Sequence, residues 1–143
     1  MLASYQRIHL LGYIRHMNGW EPVKRGKVNV RGLAQESSGV EALDVRITLS
    51  GPPPAQWVVF FSEPETVDLE IDAQINGATV VVQPADDMLE AYVAEVDRRI
   101  TDSNVRYENE ILPELQRRDD QKQAQVNKRE RRLEDARRRA EAL

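Results

Sequence analysis

The spacing of apolar residues changes once along this chain, and that change restricts the folds available to it. Between residues 41 and 82, apolar side chains mostly alternate with polar ones, which is the period of a half-buried β-strand. From Asp86 onward they recur mainly at steps of three or four, as in an amphipathic helix. Strands followed by a helix predict an α+β fold. We expect an antiparallel sheet of four to five strands over about residues 20–83, packed by a helix that begins at Asp86.

Three segments carry the strand signal. From Glu41 to Ser50, every second residue is apolar, which places one face of a strand on the core. A second alternation, over residues 66–75, runs into Asn76-Gly77, the strongest two-residue hairpin signal, because a type I′ turn needs positive φ at both positions. A third stretch, Val23 to Leu33, predicts a strand or a strand pair bent at Gly26, followed by a polar loop over residues 34–39.

The hairpin register can be predicted as well. A two-residue turn at Asn76-Gly77 places the apolar residues of both strands on one face. The expected pairs are Ile75 with Ala78, Ala73 with Val80, and Ile71 with Val82.

A proline run, Pro52-Pro53-Pro54, separates the first two alternating regions. Trp57, Phe60 and Phe61 follow it at the i, i+3, i+4 spacing of one helix face, and proline is well tolerated at the first helical position. The pattern favours one or two helical turns over residues 55–61, with a buried strand as the alternative. Trp57 is expected to be a core anchor in either case.

The helix predicted from Asp86 has an acidic start, where Asp86 or Asp87 would serve as the cap. Poor helix formers over residues 101–104 and the proline at Pro113 predict a kink or break near one of these places. Beyond Pro113 the sequence predicts a second helix, from Glu114 to about Ala142. We therefore expect a globular domain over residues 1–112 and a charged helical arm over residues 113–143, with a coiled coil as one form of the arm.

Charge is divided unequally between these two parts. Residues 1–113 carry a net charge of −7 and residues 114–143 a net charge of +3. No stretch approaches the ~20 apolar residues that a membrane-spanning helix needs, and the N-terminus lacks the pattern of a secretory signal. The chain has no cysteine, which rules out disulfides and thiolate metal sites. A cytoplasmic protein that does not bind membranes is expected.

Catalytic patterns are weak. His9 and His16 are seven residues apart with no carboxylate nearby, whereas metal-binding histidines on a helix are usually three or four apart. Asp68, Glu70 and Asp72 would share the outer face of the hairpin, where a solvated surface is a better interpretation than a metal site. No nucleophile elbow or phosphate-binding glycine loop occurs. We expect no enzymatic activity, no metal and no cofactor.

The arm carries the main functional hypothesis. A single exposed helix supported by i, i+4 ion pairs such as Arg131 with Asp135 and Glu134 with Arg138 would fray, because each pair contributes only ~0.2–0.5 kcal/mol. A partner helix would order it. The chain is therefore predicted to be a non-catalytic interaction or assembly module that self-associates or binds a partner protein. The partner-binding residues would be Val126, Leu133, Ala136 and Ala140, which form an apolar seam. Trp20 would be a further partner-binding residue, and a position in the core is the alternative for it.

Nucleic-acid binding is the alternative for the same arm, because four or five neutralised phosphates give measurable, salt-sensitive affinity. Interleaved acidic residues and the absence of aromatic residues in the arm weaken this alternative. Its contact residues would be Lys128, Arg129, Arg131, Arg132, Arg137, Arg138 and Arg139.

Overall fold

The computed structural model describes residues 19–35 and 41–143. The predictions for His9 and His16, and for most of the polar loop at residues 34–39, therefore concern residues outside this part. The described chain divides into two compact units. One comprises residues 21–109, and the other comprises Gly19, Trp20 and residues 110–143. The domain boundary expected at residue 112 stays a prediction.

The first unit contains an antiparallel sheet, which confirms the α+β fold. Its strands, taken over the described residues, are β1 (Arg25–Gln35), β2 (Glu41–Leu49), β3 (Gln74–Asn76) and β4 (Thr79–Val82). They lie in the order β1-β2-β4-β3, so the alternating β2 strand is central and β1 and β3 are the edges. The predicted loop begins later than expected, because β1 continues through Ala34 to Gln35.

The alternation in β2 produces the face that the sequence predicts. Val45 and Ile47 are fully buried, and they lie opposite Val82 and Val80 of β4, which are also fully buried. Leu49 is buried as well. These residues form the sheet's contribution to the core, and burial of each such side chain stabilises the fold by about 1.5–3 kcal/mol.

The first strand is one strand and not a pair. Its register with β2 is irregular at two places, between Arg25 and Val28 and between Val30 and Gly32. Gly26 lies in the first irregularity, where an added Cβ would come within 3.3 Å of the Thr48 carbonyl oxygen. The bend expected at Gly26 is thus accommodated as a bulge within a continuous strand.

The hairpin is shorter than predicted and its register differs by two residues. Ile75 pairs with Val80, not with Ala78, and the turn residues are Gly77 and Ala78. Only Gly77 has positive φ, at 59°, which is the pattern of a type II′ turn and not type I′. In this register Ile71 would face Pro84, which has no N–H to donate and whose carbonyl accepts from Leu43 N at 2.7 Å. Residues 66–73 form a loop, so the predicted acidic strand face is not formed.

The segment after the prolines is a helix, α1 (Ala55–Ser62), and the strand alternative is wrong. Trp57 and Phe61 are both fully buried, and their rings stack with centroids 5.5 Å apart. Pro54 precedes the helix in an extended conformation rather than occupying its first turn. The core position predicted for Trp57 is confirmed.

The C-terminal region is helical from Asp86 to Glu141 in four pieces. A 3-10 turn (Asp86–Met88) leads into α2 (Leu89–Arg106), a π-helical segment (Tyr107–Ile111) and α3 (Leu112–Glu141). Neither Asp86 nor Asp87 caps a helix through its side chain, which corrects the predicted cap. Residues 101–104 are regular helix, and the irregularity lies just before Pro113, whose missing N–H and bulky ring disfavour an ordinary α-turn there.

Asn104 explains why the poor helix formers do not break α2. Its side-chain oxygen accepts hydrogen bonds from Trp57 Nε1 at 2.8 Å and from Val23 N at 3.0 Å. Its side-chain nitrogen donates to Val23 O at 2.9 Å. One side chain therefore joins α2, α1 and the segment before β1.

Candidate functional site

The candidate site is the charged arm, residues 113–143, nearly all of which lies in α3. At 1.5 Å per residue, this helix of 30 residues is about 45 Å long. Every residue from 117 to 143 is exposed. The helical prediction for the arm is confirmed, and the helix presents most of its length to solvent.

The predicted seam residues lie on this exposed helix. Val126 and Leu133 have 46% and 53% of their surface exposed, and Ala136 and Ala140 are also exposed. Residues seven apart in an α-helix differ by only about 20° around its axis, so Val126, Leu133 and Ala140 project from nearly the same side. The structure therefore brings the four arm residues together along one side of the helix.

Trp20 does not extend this apolar surface. It is buried, with 8% of its surface exposed, and its position matches the core alternative that the sequence left open. The role of Trp20 in partner binding stays a prediction, and the burial of its side chain does not support that role.

The same seven-residue spacing identifies further seam residues that the apolar pattern did not reveal. The first row extends back in steps of seven from Val126 to Asp119 and Leu112, and Leu115, Lys122 and Arg129 occupy the companion positions three residues after Leu112, Asp119 and Val126. Leu115 is half-buried, and the three charged residues are exposed. The seam is therefore apolar near Leu115 and Leu133 and carries charges between them. Hydrophobicity alone could not reveal the charged members, although the period of seven could.

A shallow groove of about 420 Å³ lies on this surface around Val126. Its remaining lining is polar or cationic, supplied by Lys122, Gln125, Lys128, Arg129 and Arg132. An apolar floor with a cationic rim suits a partner that offers an apolar side chain flanked by carboxylates.

Ion pairing within the arm is sparse. Among the described residues, the seven predicted nucleic-acid contacts include one paired cation, Arg139, whose Nε lies 3.4 Å from Asp135 Oδ2. The expected pairs Arg131 with Asp135 and Glu134 with Arg138 are not formed. The other six guanidinium or ammonium groups have no carboxylate within 4 Å in the described structure. The unpaired residues are Lys128, Arg129, Arg131, Arg132, Arg137 and Arg138.

The first turn of the arm is better paired. Arg117 donates to Glu114 at 2.6 Å, and Arg118 Nε lies 3.4 Å from the same carboxylate. The hydrogen bond from Arg117 holds the pKa of the Glu114 carboxyl below its usual value. These i, i+3 and i, i+4 contacts join successive turns, so the cluster supports the beginning of the arm.

A second charged cluster lies in the first unit, on α2. Arg98 donates to both oxygens of the buried Glu95 at 2.9 and 2.7 Å, to Thr66 O at 2.6 Å, and lies 3.3 Å from Asp68. Arg99 donates to Glu95 at 3.1 Å. The hydrogen bond from Arg98 lowers the pKa of Glu95 despite its burial. These contacts fix the loop at residues 66–68, so we assign this cluster a structural role.

Arg106, two helical turns further along α2, holds the segment that leads from α1 into this loop. Its guanidinium carbon lies 4.2 Å above the centre of the Phe60 ring, and it donates to Glu63 O at 3.3 Å. Its Nε lies 3.6 Å from Glu65. Two arginines on one helix thus hold this region: Arg98 contacts the loop that replaces the predicted strand, and Arg106 contacts the segment just before it.

Within residues 19–35 and 41–143, no group of three or more His, Asp or Glu side chains is arranged to hold a metal ion. No helix in this part of the chain is both long enough and apolar enough to cross a membrane. Comparisons with protein families, with curated proteins and with solved structures find no match to this chain.

Proposed function

We propose that this chain is a non-catalytic protein–protein interaction or assembly module of the cytoplasm, and that its helical arm pairs with a second helix. The observation that carries the proposal is the exposure of the arm from residue 117 to 143, with Val126 and Leu133 on one side of its helix. An isolated helix of this kind gains little from its own side chains. Pairing would remove the two apolar side chains from water and add the hydrophobic free energy that the arm lacks.

The partner surface is expected to be small and specific. Coiled-coil pairing places seam residues in the gaps between residues of the facing helix, so a single charge at a central apolar position is poorly tolerated. Leu133 is the largest of the four arm residues and is more exposed than Val126, the other large apolar side chain between residues 117 and 142. It is therefore the position at which a substitution should report on pairing most directly.

The test is the solution mass of the full-length chain by light scattering, in low salt and at ~0.5 M salt. We expect a dimer or larger species in both conditions, because an apolar seam is not screened by salt. Leu133→Asp should give a monomer. Ala124→Asp introduces the same charge at an exposed position away from the seam and should leave the mass unchanged.

Circular dichroism of both variants checks that the arm is still helical. A wild-type chain that is monomeric at high concentration, with a mass that Leu133→Asp does not change, would contradict self-assembly.

Nucleic-acid binding is the second candidate, and the six unpaired cations of the arm favour it. Four or five phosphate contacts predict that the logarithm of the binding constant falls by about four for each tenfold rise in salt. Fluorescence anisotropy of a labelled duplex between 50 and 200 mM salt measures this slope. Replacing Arg137, Arg138 and Arg139 with glutamine should weaken binding, whereas the uncharged substitution Leu133→Ala should not. A duplex that fails to bind at 50 mM salt would eliminate this candidate.

A further inference from the structure

The charged seam residues restrict which helix can face the arm. Between Leu115 and Leu133 the seam carries Asp119, Lys122 and Arg129, all exposed. A partner helix must place groups of suitable charge opposite each of these residues, because a charge in a seam without a partner is costly. The order of charges along the seam therefore distinguishes the possible partners and their orientations.

A second copy in parallel orientation is a poor partner. Parallel, in-register pairing sets each seam residue against its own equivalent. Asp119, Lys122 and Arg129 would each face a like charge, giving three repulsive layers within six. The three apolar layers, Leu115 and Leu133 at the ends and Val126 between them, would have to overcome this repulsion.

A second copy in antiparallel orientation resolves most of this conflict. If Leu115 faces Leu133 of the second copy, Asp119 faces Arg129, and Val126 faces Lys122. The lysine chain can pack along valine while its ammonium group reaches water. Because a two-fold interface repeats every contact, both aspartates and both arginines obtain opposite charges.

We propose, resting on the function proposed above, that the arm binds the arm of a second copy of this chain in antiparallel orientation, with Leu115 facing Leu133 and Asp119 facing Arg129. The register brings Arg118 near Arg132 of the second copy at the edge of the seam. That repulsion is reduced because Arg118 already lies 3.4 Å from the Glu114 carboxylate.

Charge reversal tests the facing residues. Asp119→Arg or Arg129→Asp alone should raise the dissociation constant of the dimer about tenfold or more, because each creates two like-charge contacts. The double variant exchanges the charges and should return to within about threefold of the wild-type value. Sedimentation equilibrium of the full-length chain measures these constants. Single variants that dimerise like wild type, or a double variant that is not restored, would overturn the register.

Orientation is tested by distance. The chain contains no cysteine, so Gln125→Cys and Arg139→Cys each allow one spin label per copy. The two positions occupy equivalent places in the seven-residue repeat. At a 1.5 Å rise per residue, the two copies of residue 125 in the proposed dimer are about 3 Å apart along the helix axis, and the two copies of residue 139 are about 45 Å apart.

Pulsed electron paramagnetic resonance should therefore give a short distance for the first variant and a long one for the second. Equal short distances would show parallel pairing, which overturns this inference and leaves the assembly function intact. A wild-type chain that is monomeric regardless of Leu133→Asp would overturn both.

Discussion

Asn104 offers the most direct test of how the first unit is held together. Asn104→Ala removes three hydrogen bonds: two from Trp57 Nε1 and Val23 N to the side-chain oxygen, and one from the side-chain nitrogen to Val23 O. Each contributes about 1 kcal/mol net, and the fully buried Trp57 indole N–H is left without its acceptor. Alanine recovers about 0.6 kcal/mol through its higher helix propensity. The expected loss is about 2–3 kcal/mol in the free energy of unfolding.

Urea unfolding followed by tryptophan fluorescence measures this loss, because Trp57 is one of two tryptophans and contacts the altered site. Thr101→Ala is the control, since Thr101 is exposed on the same helix one turn earlier and bonds only within that helix. Its effect should stay within about 0.5 kcal/mol. A loss below about 1 kcal/mol for Asn104→Ala, with an unchanged dependence on urea, would refute the assignment of Asn104 as the joint between these elements.

Two further predictions concern the loop cluster and the hairpin. The pKa of Glu95 is lowered in the folded chain, chiefly by Arg98, so its contribution to stability is complete above the ordinary carboxyl pKa of about 4.3 and is lost as the pH falls through the folded value. Glu95→Gln should remove this part of the acid dependence in urea titrations; an unchanged acid dependence would contradict the assignment. Gly77→Ala should cost about 1 kcal/mol because Gly77 has φ of 59°, whereas Gly51→Ala, with open space and no positive φ, should cost little in thermal unfolding. Equal effects of the two glycine substitutions would argue against the observed turn.

Local sequence patterns correctly predicted the strands and helices that bury one face and expose the other. The alternation in β2 placed Val45 and Ile47 in the core, and the spacing of Trp57 and Phe61 after a proline predicted α1. The seven-residue spacing of Val126 and Leu133 likewise predicted a common side of the arm. These features depend on neighbours a few residues away, which is the range that a sequence pattern reports.

Features that depend on distant residues were missed. The preference of Asn76-Gly77 for a turn was correct in place to within one residue, but the turn lies at Gly77-Ala78, which shifts the strand register by two residues. Asn104 is a poor helix former, and its sequence neighbourhood does not reveal the hydrogen bonds that stabilise it, because its partners Trp57 and Val23 are 47 and 81 residues away in the sequence. The apolar pattern did not reveal Asp119 as a member of the proposed seam, because Asp119 would contribute a charge and not an apolar side chain.

The irregular first strand has a consequence for behaviour at high concentration. A long, regular edge strand offers its unpaired backbone N–H and C=O groups to neighbouring molecules and so promotes edge-to-edge strand pairing and fibril growth. Three features interrupt such a template in this chain. The register of β1 breaks near Gly26 and Gly32, and β1 carries the exposed cations Lys27 and Arg31. The strand at the opposite edge, β3, is only three residues long. We expect concentrated solutions to remain free of cross-β aggregates, which makes reversible mass measurements on this chain practicable.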